Sequence, residues 1–186
     1  AVAILFDLEK AYDTTWKHGI MSDIHKVGFR GHLPVFLQNF LAERSFQVRV
    51  GSTLSNQHQQ GLGVPQGSIL SPLLFCIEIN EIVRSVQGDT ECSFFVDDFA
   101  LCARGSTLPR VERQLQLCVN KIQDWIDSNG FKFSINKTQC IHFHQHRTYF
   151  PDPEITLKGC PIPVVSEAKF LSIIFDKRLN FRSHVQ

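Results

Sequence analysis

Apolar residues in the first half of the chain change from one continuous run to a helical spacing. Residues 1 to 8 form a short, nearly uninterrupted apolar run, which is typical of a strand buried on both faces. Apolar residues then recur at intervals of three and four, with glycine, proline and polar residues between the periodic stretches. The pattern predicts a helix over about 14 to 27 that ends at Gly28, and a second helix over 33 to 42 with Pro34 in its first turn. An alternating strand with one dry face follows over 46 to 50 and turns at Gly51-Ser52. After it we predict a polar loop over 57 to 63 and a helix from about 72 to 86.

The second half of the chain contains an apolar hairpin, one long amphipathic helix and several strands. Two acidic residues interrupt the apolar stretch between Cys92 and Ala103, which predicts a hairpin with these acids at its tip. Helical spacing from 108 to 126 ends at Asn129-Gly130, a left-handed stop. We predict further strands at 131 to 135, 139 to 143, 155 to 157, 162 to 165 and 170 to 175, with a turn at Gly159.

This order of elements predicts an α+β fold, in which helices cover one face of a largely antiparallel sheet. With 186 residues, the chain is long enough for one domain with its own core. Apolar residues make up 43% and charged residues 20%, and no apolar run approaches the ~20 residues of a membrane helix, so we expect no membrane association. The formal net charge of +1 gives no general sign of nucleic-acid binding, which would depend on local placement of basic residues.

The six cysteines lie far apart, with no C-x-x-C pair, so we expect them to be reduced and mostly buried. Reduced cysteines predict an intracellular protein, in the nucleus, the cytoplasm or both. The chain begins within an apolar strand without a starting methionine and ends at Val185-Gln186 without a helix cap. These ends predict a fragment of a longer polyprotein.

Three aspartates are the first candidates for chemistry. Asp7 ends the first buried strand, and Asp97-Asp98 occupy the predicted hairpin tip. Carboxylates brought together without nearby positive charge suit Mg²⁺, which binds hard oxygen ligands and substrate phosphates, and two such ions support phosphoryl transfer. The alternative is structural, with Asp97-Asp98 as a turn and Asp7 as a helix cap.

The segment Gly63-Val-Pro-Gln-Gly-Ser-Ile-Leu-Ser-Pro72 is the second candidate. Its glycines allow the backbone to approach a ligand closely, its prolines stiffen the loop, and Gln66 offers a donor and an acceptor. We also interpret the segment as a helix start, with Ser71 as the cap and Pro72 at the first helical position. The two interpretations are compatible.

Five segments in this order resemble the successive motifs of reverse transcriptases, closest to those of jockey-like non-LTR (LINE-type) retrotransposons. The segments are Phe-Asp-Leu-Glu-Lys-Ala-Tyr-Asp (6–13), Gly-Val-Pro-Gln-Gly-Ser-Ile-Leu-Ser-Pro (63–72), Phe-Val-Asp-Asp (95–98), Gly-Phe-Lys-Phe-Ser-Ile-Asn-Lys-Thr (130–138) and Phe-Leu-Ser-Ile-Ile-Phe-Asp (170–176). The resemblance spans nearly the whole chain. It implies the palm of a right-hand polymerase, with a ferredoxin/RRM-like antiparallel sheet, that acts as an RNA-directed DNA polymerase.

The resemblance also implies roles for individual residues. Asp7, Asp97 and Asp98 would bind two Mg²⁺ ions, with Mn²⁺ able to substitute, and Lys137 would protonate or neutralise the leaving pyrophosphate. The implied substrate-binding residues are Leu8, whose backbone would lie near the triphosphate, Tyr12, a gate against the ribose 2′-hydroxyl, and Gln66 and Gly67. The implied primer grip is Phe170, Leu171 and Ser172. The alternatives are a core position for Tyr12 and an ordinary surface position for Lys137.

The resemblance further implies a domain plan and a set of partners. Residues 1–186 would form a reverse transcriptase domain, with partial fingers elements over about 28–62 and the start of the primer-grip and thumb junction over about 155–186. The N-terminal fingers and the thumb would be missing, so we expect the isolated fragment to be inactive. The expected partners are an RNA template, a DNA primer and deoxynucleoside triphosphates, whereas the oligomeric state is left open.

Two positions depart from the family pattern: Val96 replaces a common alanine, and Ser172 replaces a usual glycine, which adds a Cβ near the expected primer backbone. Scattered basic residues could follow phosphates or simply form a solvated face: Arg44, Arg49, Lys169, Lys177, Arg178 and Arg182. The alternating His142, His144 and His146 fit a strand that runs into a loop better than a metal site.

Two other functions stay open from the sequence alone. The first is a catalytically inactive nucleic-acid-binding remnant of a retrotransposon. The second is a nucleotide cyclase or related two-metal enzyme, which would have no obvious use for Tyr12 or for the loop around Gln66.

Overall fold

A computed structural model of the protein describes residues 1–145 and 151–185. Its strands and helices follow one another along the chain as β1 (Val2–Asp7), α1 (Ala11–Thr14), α2 (Lys17–Val27), α3 (His32–Leu41), β2 (Ser45–Phe46), β3 (Arg49–Val50), β4 (Thr53–Leu54), β5 (His58–Gln59), α4 (Leu70–Ile79) with a 3₁₀ helix after it (Asn80–Ser85), β6 (Thr90–Phe95), β7 (Asp98–Ala103), α5 (Leu108–Ser128), β8 (Gln139–His142), β9 (Thr156–Leu157), β10 (Cys160–Pro161), β11 (Val164–Val165), β12 (Glu167–Phe170), β13 (Ile173–Asp176) and α6 (Arg182–Val185).

The chain divides into two compact units. The first, here called the sheet unit, consists of residues 1–9 and 81–186. The second, here called the helical unit, consists of residues 10–80. The first strand therefore belongs to the sheet unit, although the chain enters the helical unit immediately after it.

The sheet unit is built on a five-stranded sheet with the order β11-β8-β1-β7-β6. Three neighbouring pairs are antiparallel and the β11–β8 pair is parallel. Helix α5 packs against β6 and β7 through one apolar face, because its buried residues recur at three and four: Val111, Leu115, Cys118, Val119, Ile122 and Ile126. A largely antiparallel sheet covered by a helix confirms the predicted α+β fold.

The helical unit packs α2 against both α3 and α4. Its buried core includes a cluster of Ile20, Ile24, Leu37, Leu41, Val64 and Leu74. The predicted helix over 33–42 is confirmed as α3, and Gly28 ends α2 with φ of 101°, a left-handed conformation in which glycine meets no steric penalty. The predicted helix over 14–27 is divided in two, because the backbone of Thr15 and Trp16 is extended.

The predicted strand over 46–50 was partly wrong. Phe46 pairs with His58 in the β2–β5 ladder, whereas Arg49 and Val50 pair with the next two-residue strand. All of these strand residues are exposed, so the alternation does not correspond to a dry face. The predicted polar loop over 57–63 likewise contains the short strand β5, whose pairing partner cannot be identified from its polar sequence.

Three other predictions were also wrong in detail. Residues 131–135 make only one isolated bridge, between Phe133 and Leu8. The predicted strand over 170–175 is a hairpin, because Leu171 and Ser172 form a turn in which both φ angles are positive, 47° and 67°. Helix α4 begins before Ser71, so Ser71 is not its cap; its hydroxyl donates to the carbonyl of Pro65 instead.

All six cysteines are free, but the expectation that most are buried was wrong, since only Cys118 and Cys140 are buried, whereas two others are half-buried and Cys76 and Cys160 are exposed. His142 lies in β8, and its ring centroid is 5.1 Å from that of His144. His146 lies outside the described residues.

Among the residues described, no helix combines the length and apolar character that crossing a membrane would require.

Candidate functional site

Asp7 and Asp98 face each other on neighbouring strands of the sheet unit. Asp7 is the last residue of β1, Asp98 is the first residue of β7, and the two are direct partners in the antiparallel register. Side chains of directly opposite residues project from the same face of a sheet and lie close together. The structure therefore brings together two acids that are 91 positions apart in the sequence.

Buried aromatic residues fix the orientation of these acids. The adjoining pair in the register is Phe6 and Phe99, which are 3% and 0% exposed and have ring centroids 5.5 Å apart. Phe94 and Phe133 add further ring contacts to this cluster. Because successive residues of a strand point to opposite faces, burial of the two phenylalanines directs Asp7 and Asp98 to the other face.

Asp97 lies in the two-residue turn between β6 and β7, as the sequence predicted. Its neighbour Val96 has φ of 55°. This conformation is strained for a β-branched residue, and such strain is characteristic of functional turns. Asp97 is exposed at this turn, whereas Asp98 is half-buried.

The charges of these acids affect one another. The pKa of Asp98 is raised, first by burial and then by the negative charges of Asp97 and Asp7. The described residues contain no group of three or more His, Cys, Asp or Glu side chains already arranged to hold a metal ion. The site instead offers two facing carboxylates and a third beside them. This set fits Mg²⁺, since the ion takes one or two carboxylates and completes its shell with water and substrate phosphates.

Lys137 lies beside the acidic pair. Its Nζ is 3.3 Å from Asp7 Oδ2. The segment that carries it is fixed to the end of β1, because Ser134 donates its backbone N–H to the Asp7 carbonyl at 2.8 Å and the Thr138 hydroxyl donates to the Ser134 carbonyl. The Lys137 side chain is 71% exposed, and this anchored turn lies close enough to β1 for it to pair with Asp7; its role in the reaction stays a prediction.

Leu8 follows Asp7, and its side chain is buried at 5% exposure. The backbone after it is held by a hydrogen bond from the Glu9 N–H to the Lys132 carbonyl, at 2.8 Å. The predicted contact of this backbone with a triphosphate stays a prediction.

In the helical unit, Gly63 holds the loop of residues 63–72 against the turn that carries Tyr12. Gly63 donates to the Thr15 carbonyl at 2.8 Å, and Val64 donates to the Tyr12 carbonyl at 2.9 Å. A Cβ at Gly63 would lie 2.8 Å from two backbone carbonyl oxygens, and its φ of 83° is itself left-handed. Close approach of two backbone segments therefore requires this glycine.

Tyr12 borders a cavity of about 510 Å³ whose other lining residues are Gln66, Gly67, Ser68, Ile69, Ser71 and Pro72. The structure thus gathers all three predicted substrate-binding residues of this unit around one space, which is large enough for a nucleotide. Tyr12 is half-buried, with its ring centroid 5.1 Å from that of Phe75. It therefore packs on the core and borders the cavity, so neither interpretation of this tyrosine excludes the other.

Gln66 has a partner that sequence reasoning missed. Its Nε2 donates to Asp13 Oδ1 at 2.9 Å. The only signal in the sequence was an acid directly after Tyr12, within the first motif. Nothing in residue spacing indicates that this acid meets an amide 53 positions further along the chain.

The predicted primer-grip residues lie at the end of the β12–β13 hairpin in the sheet unit. Phe170 pairs with Ile173 and is half-buried, whereas Leu171 and Ser172 form the exposed turn. The proposed phosphate-tracking residues include Lys177, which pairs with Asp152 at 3.3 Å, and the half-buried Arg44; the others are exposed.

Comparison with known proteins gives a consistent family. Residues 1–175 match the family model described as reverse transcriptase (RNA-dependent DNA polymerase). The chain is 27% identical over 98% of its length to a probable RNA-directed DNA polymerase from the transposon X-element, and 25% identical over its whole length to the RNA-directed DNA polymerase from the mobile element jockey, both from Drosophila melanogaster. It spans about one fifth of the length of these relatives.

A solved structure with a similar fold is apo telomerase from Candida tropicalis, truncated from its C-terminal domain. The TM-score is 0.61 at 14% identity, covering 97% of this chain and 34% of the telomerase chain. This likeness shows a shared fold. Because the family model covers almost the whole chain, the protein belongs to the reverse transcriptase (RNA-dependent DNA polymerase) family.

Proposed function

We propose that this chain carries the nucleotidyl-transfer centre of an RNA-directed DNA polymerase of a non-LTR retrotransposon. The observation that carries the proposal is the pairing of Asp7 with Asp98 across β1 and β7, with Asp97 in the adjacent turn. Acidic residues in this arrangement would be costly without cations, as the raised pKa of Asp98, caused by burial and then by its acidic neighbours, indicates.

In the proposed reaction, the oxygen of a primer 3′-hydroxyl attacks the α-phosphorus of a deoxynucleoside triphosphate, and the bond to pyrophosphate breaks. Asp7, Asp97 and Asp98 would bind two Mg²⁺ ions, which supply activation of the hydroxyl and stabilise charge on the leaving group. Lys137 would neutralise or protonate the leaving pyrophosphate, and the 3.3 Å distance between its Nζ and Asp7 Oδ2 supports this role.

The cavity of the helical unit supports a nucleotide-binding role. Tyr12 would exclude a ribose 2′-hydroxyl, because a rigid ring held against Phe75 cannot easily yield space. Gln66 and Gly67 would contact the incoming nucleotide and the template. Gly67 has φ of 87°, and a Cβ at this position would have no described atom within 4 Å, which leaves its backbone open to a ligand.

An RNA template, a DNA primer and deoxynucleotides are the proposed partners. Membership of the reverse transcriptase family supports the RNA template. A telomerase from Candida albicans, which is similar in structure to this chain with a TM-score of 0.52 at 16% identity, was solved in complex with a fragment of telomeric RNA. The finger and thumb boundaries within this chain and its intracellular location stay predictions.

Primer extension on an RNA template tests the proposal. In the intact protein with Mg²⁺ and deoxynucleotides, Asp97→Asn should abolish extension, because a neutral amide lacks the negative charge with which a carboxylate binds Mg²⁺. Asp124→Asn on the exposed face of α5 is the matched control and should leave extension unchanged. Extension retained by Asp97→Asn would reject the assignment, and RNA binding without any extension by the unsubstituted protein would favour an inactive remnant. Replacing Mg²⁺ by Mn²⁺ should preserve extension.

A further inference from the structure

A second cavity in the helical unit has basic walls. It has a volume of about 500 Å³ and lies among the first turns of α2, the end of α3 and the β2–β5 ladder. Its charged and titratable lining residues are Lys17, His18, His25, Glu43 and Arg44. None of these belongs to the acidic site or to the cavity that Tyr12 borders.

The backbone of Gln60 contacts both residues that carry the strongest cations of this cavity, bonding the side chain of Lys17 and the backbone of Arg44. The Gln60 N–H donates to the Arg44 carbonyl at 2.7 Å, and the Gln60 carbonyl accepts a hydrogen bond from Lys17 Nζ at 2.5 Å. The pKa of Lys17 is lowered, first by burial and then by the positive charge of Arg44. The fold therefore keeps two cations near each other although they repel.

Arg44 also has an unused donor. Its Nε is buried and has no hydrogen-bond partner in the part of the chain that the structure describes. Its guanidinium carbon lies 5.9 Å from the centre of the Phe40 ring, which limits where the fork can point. A buried donor without an acceptor destabilises the fold, so a ligand that supplies acceptor oxygens would be favoured here.

The acidic residue of the cavity does not satisfy these cations. Glu43 is exposed, and neither Lys17 nor Arg44 forms an ion pair with it within the described residues. The histidines are ordinary surface residues that add no negative charge. The cavity is consequently suited to an anion.

We propose that this cavity binds a phosphate group, with Arg44 and Lys17 as its main ligands. Phosphate fits because arginine offers several donors in a planar fork, whereas lysine adds a compact charge. The phosphate belongs either to the backbone of a nucleic-acid strand or to a free nucleotide. This site goes beyond the proposed catalytic function, which supplies only the reason for choosing RNA as a probe.

Binding measurements on the whole chain test this site. The probes are a short fluorescent single-stranded RNA, followed by anisotropy over a range of salt concentrations, and deoxyadenosine triphosphate, followed by calorimetry. The Lys17→Gln/Arg44→Gln double variant should bind the relevant probe about tenfold more weakly. For RNA, the slope of log affinity against log salt should fall by about 0.7, the value for one phosphate of a single strand.

Two further variants separate the site from general effects of charge and folding. Arg113→Gln removes an exposed arginine from α5 and should bind both probes nearly as well as the unsubstituted chain. Arg44→Lys retains the charge but loses the planar fork of donors, so its affinity for the probe should lie between that of the unsubstituted chain and that of the double variant. Thermal melting identifies any variant that does not fold, in which case Arg44→Lys carries the test.

The outcomes distinguish the two sources of phosphate. Weaker binding of RNA alone identifies a strand phosphate, and weaker binding of deoxyadenosine triphosphate alone identifies a nucleotide phosphate. Unchanged binding of both probes by the folded variants, or an equal loss in Arg113→Gln, overturns the proposal. Because none of these variants alters an aspartate of the acidic site, this failure is distinct from failure of the Asp97→Asn extension test.

Discussion

Gln66 donates its side-chain amide to the carboxylate of Asp13, with Nε2 2.9 Å from Oδ1. A carboxylate only accepts hydrogen bonds, so the bond fixes which end of the Gln66 amide faces Asp13. Gln66 also lines the cavity that Tyr12 borders. We therefore expect Asp13 to position the side chain of Gln66, which is proposed to contact the nucleotide.

Loss of Asp13 should weaken nucleotide binding more than catalysis. In the intact protein, Asp13→Ala should raise KM for deoxynucleotides about fivefold, because an exposed hydrogen bond contributes about 1 kcal/mol. The value of kcat should change little, and Asp13→Asn, which retains an acceptor, should restore most of the affinity. Steady-state primer extension measures both constants. An equal fall in kcat for Asp13→Ala and Asp13→Asn would contradict a positioning role.

Lys137 should contribute to the chemical step. We expect Lys137→Met to lower kcat by about 100-fold, the lower range for general acid catalysis, with a smaller change in KM. Lys132→Met is the matched control, since this exposed lysine lies on the same segment and contributes only its backbone carbonyl to a described hydrogen bond. Single-turnover extension separates the chemical step from product release. If both variants were equally active, Lys137 would be an ordinary surface lysine.

A buried carboxyl group should make the stability of the helical unit depend on pH. Glu78 on α4 is fully buried, and neither of its carboxylate oxygens has a well-formed hydrogen bond within the described residues. It packs so closely on α2 that a Cβ at Gly19 would lie 2.6 Å from its Oε1. Burial raises the pKa of Glu78 to about 8; the backbone of Trp16 opposes this change and the charge of Asp23 adds to it.

The stability of the protein should therefore fall as the pH rises through this range. With a pKa near 4.5 when unfolded and about 8 when folded, Glu78 keeps a proton in the folded state that the unfolded state releases. The contribution of Glu78 to the free energy of unfolding is fully present below about pH 4.5. It decreases as the pH rises from there to about 8, and the total decrease is roughly 5 kcal/mol at most. Glu78→Gln should remove this decrease in the free energy of unfolding.

Urea unfolding of both proteins at several pH values measures the difference. Glu78→Gln should be less stable than the unsubstituted protein at low pH, because an amide is buried in place of a neutral acid, yet it should lose less stability on going to higher pH. Glu9→Gln at an exposed position should follow the unsubstituted protein throughout. Parallel pH curves for Glu78→Gln and the unsubstituted protein would show that Glu78 does not titrate in this way.

The turn between β12 and β13 should be stabilised by glycine. Ser172 has φ of 67°, which costs a residue with a Cβ about 1 kcal/mol, so Ser172→Gly should raise the free energy of unfolding by about that amount. Ser166→Gly, at an exposed residue outside the left-handed region, should instead lower it. Thermal melting compares the variants. If Ser172→Gly and Ser166→Gly were both less stable than the unsubstituted protein, the left-handed turn would not determine the change in stability.

Local patterns were sufficient where neighbouring residues determine the structure. The hairpin with Asp97 at its turn follows from two apolar strands joined by two residues, and α5 follows from 21 residues with one apolar stripe. Local patterns failed at Leu171-Ser172, since neither residue signals a turn with positive φ. They also failed at β5, because an exposed strand is defined by its partner and not by burial.

The sequence by itself determined the family and the α+β class and singled out the three acids as candidates, since the motifs and the order of the elements are local features of the chain. Tertiary structure alone decided which distant residues meet: Gln66 with Asp13, Lys137 with Asp7, and Glu78 with Gly19. The physical reason is that hydrophobic patterning depends on residues a few positions apart. Hydrogen bonds, ion pairs and buried charges instead depend on contacts that exist only after the chain has folded.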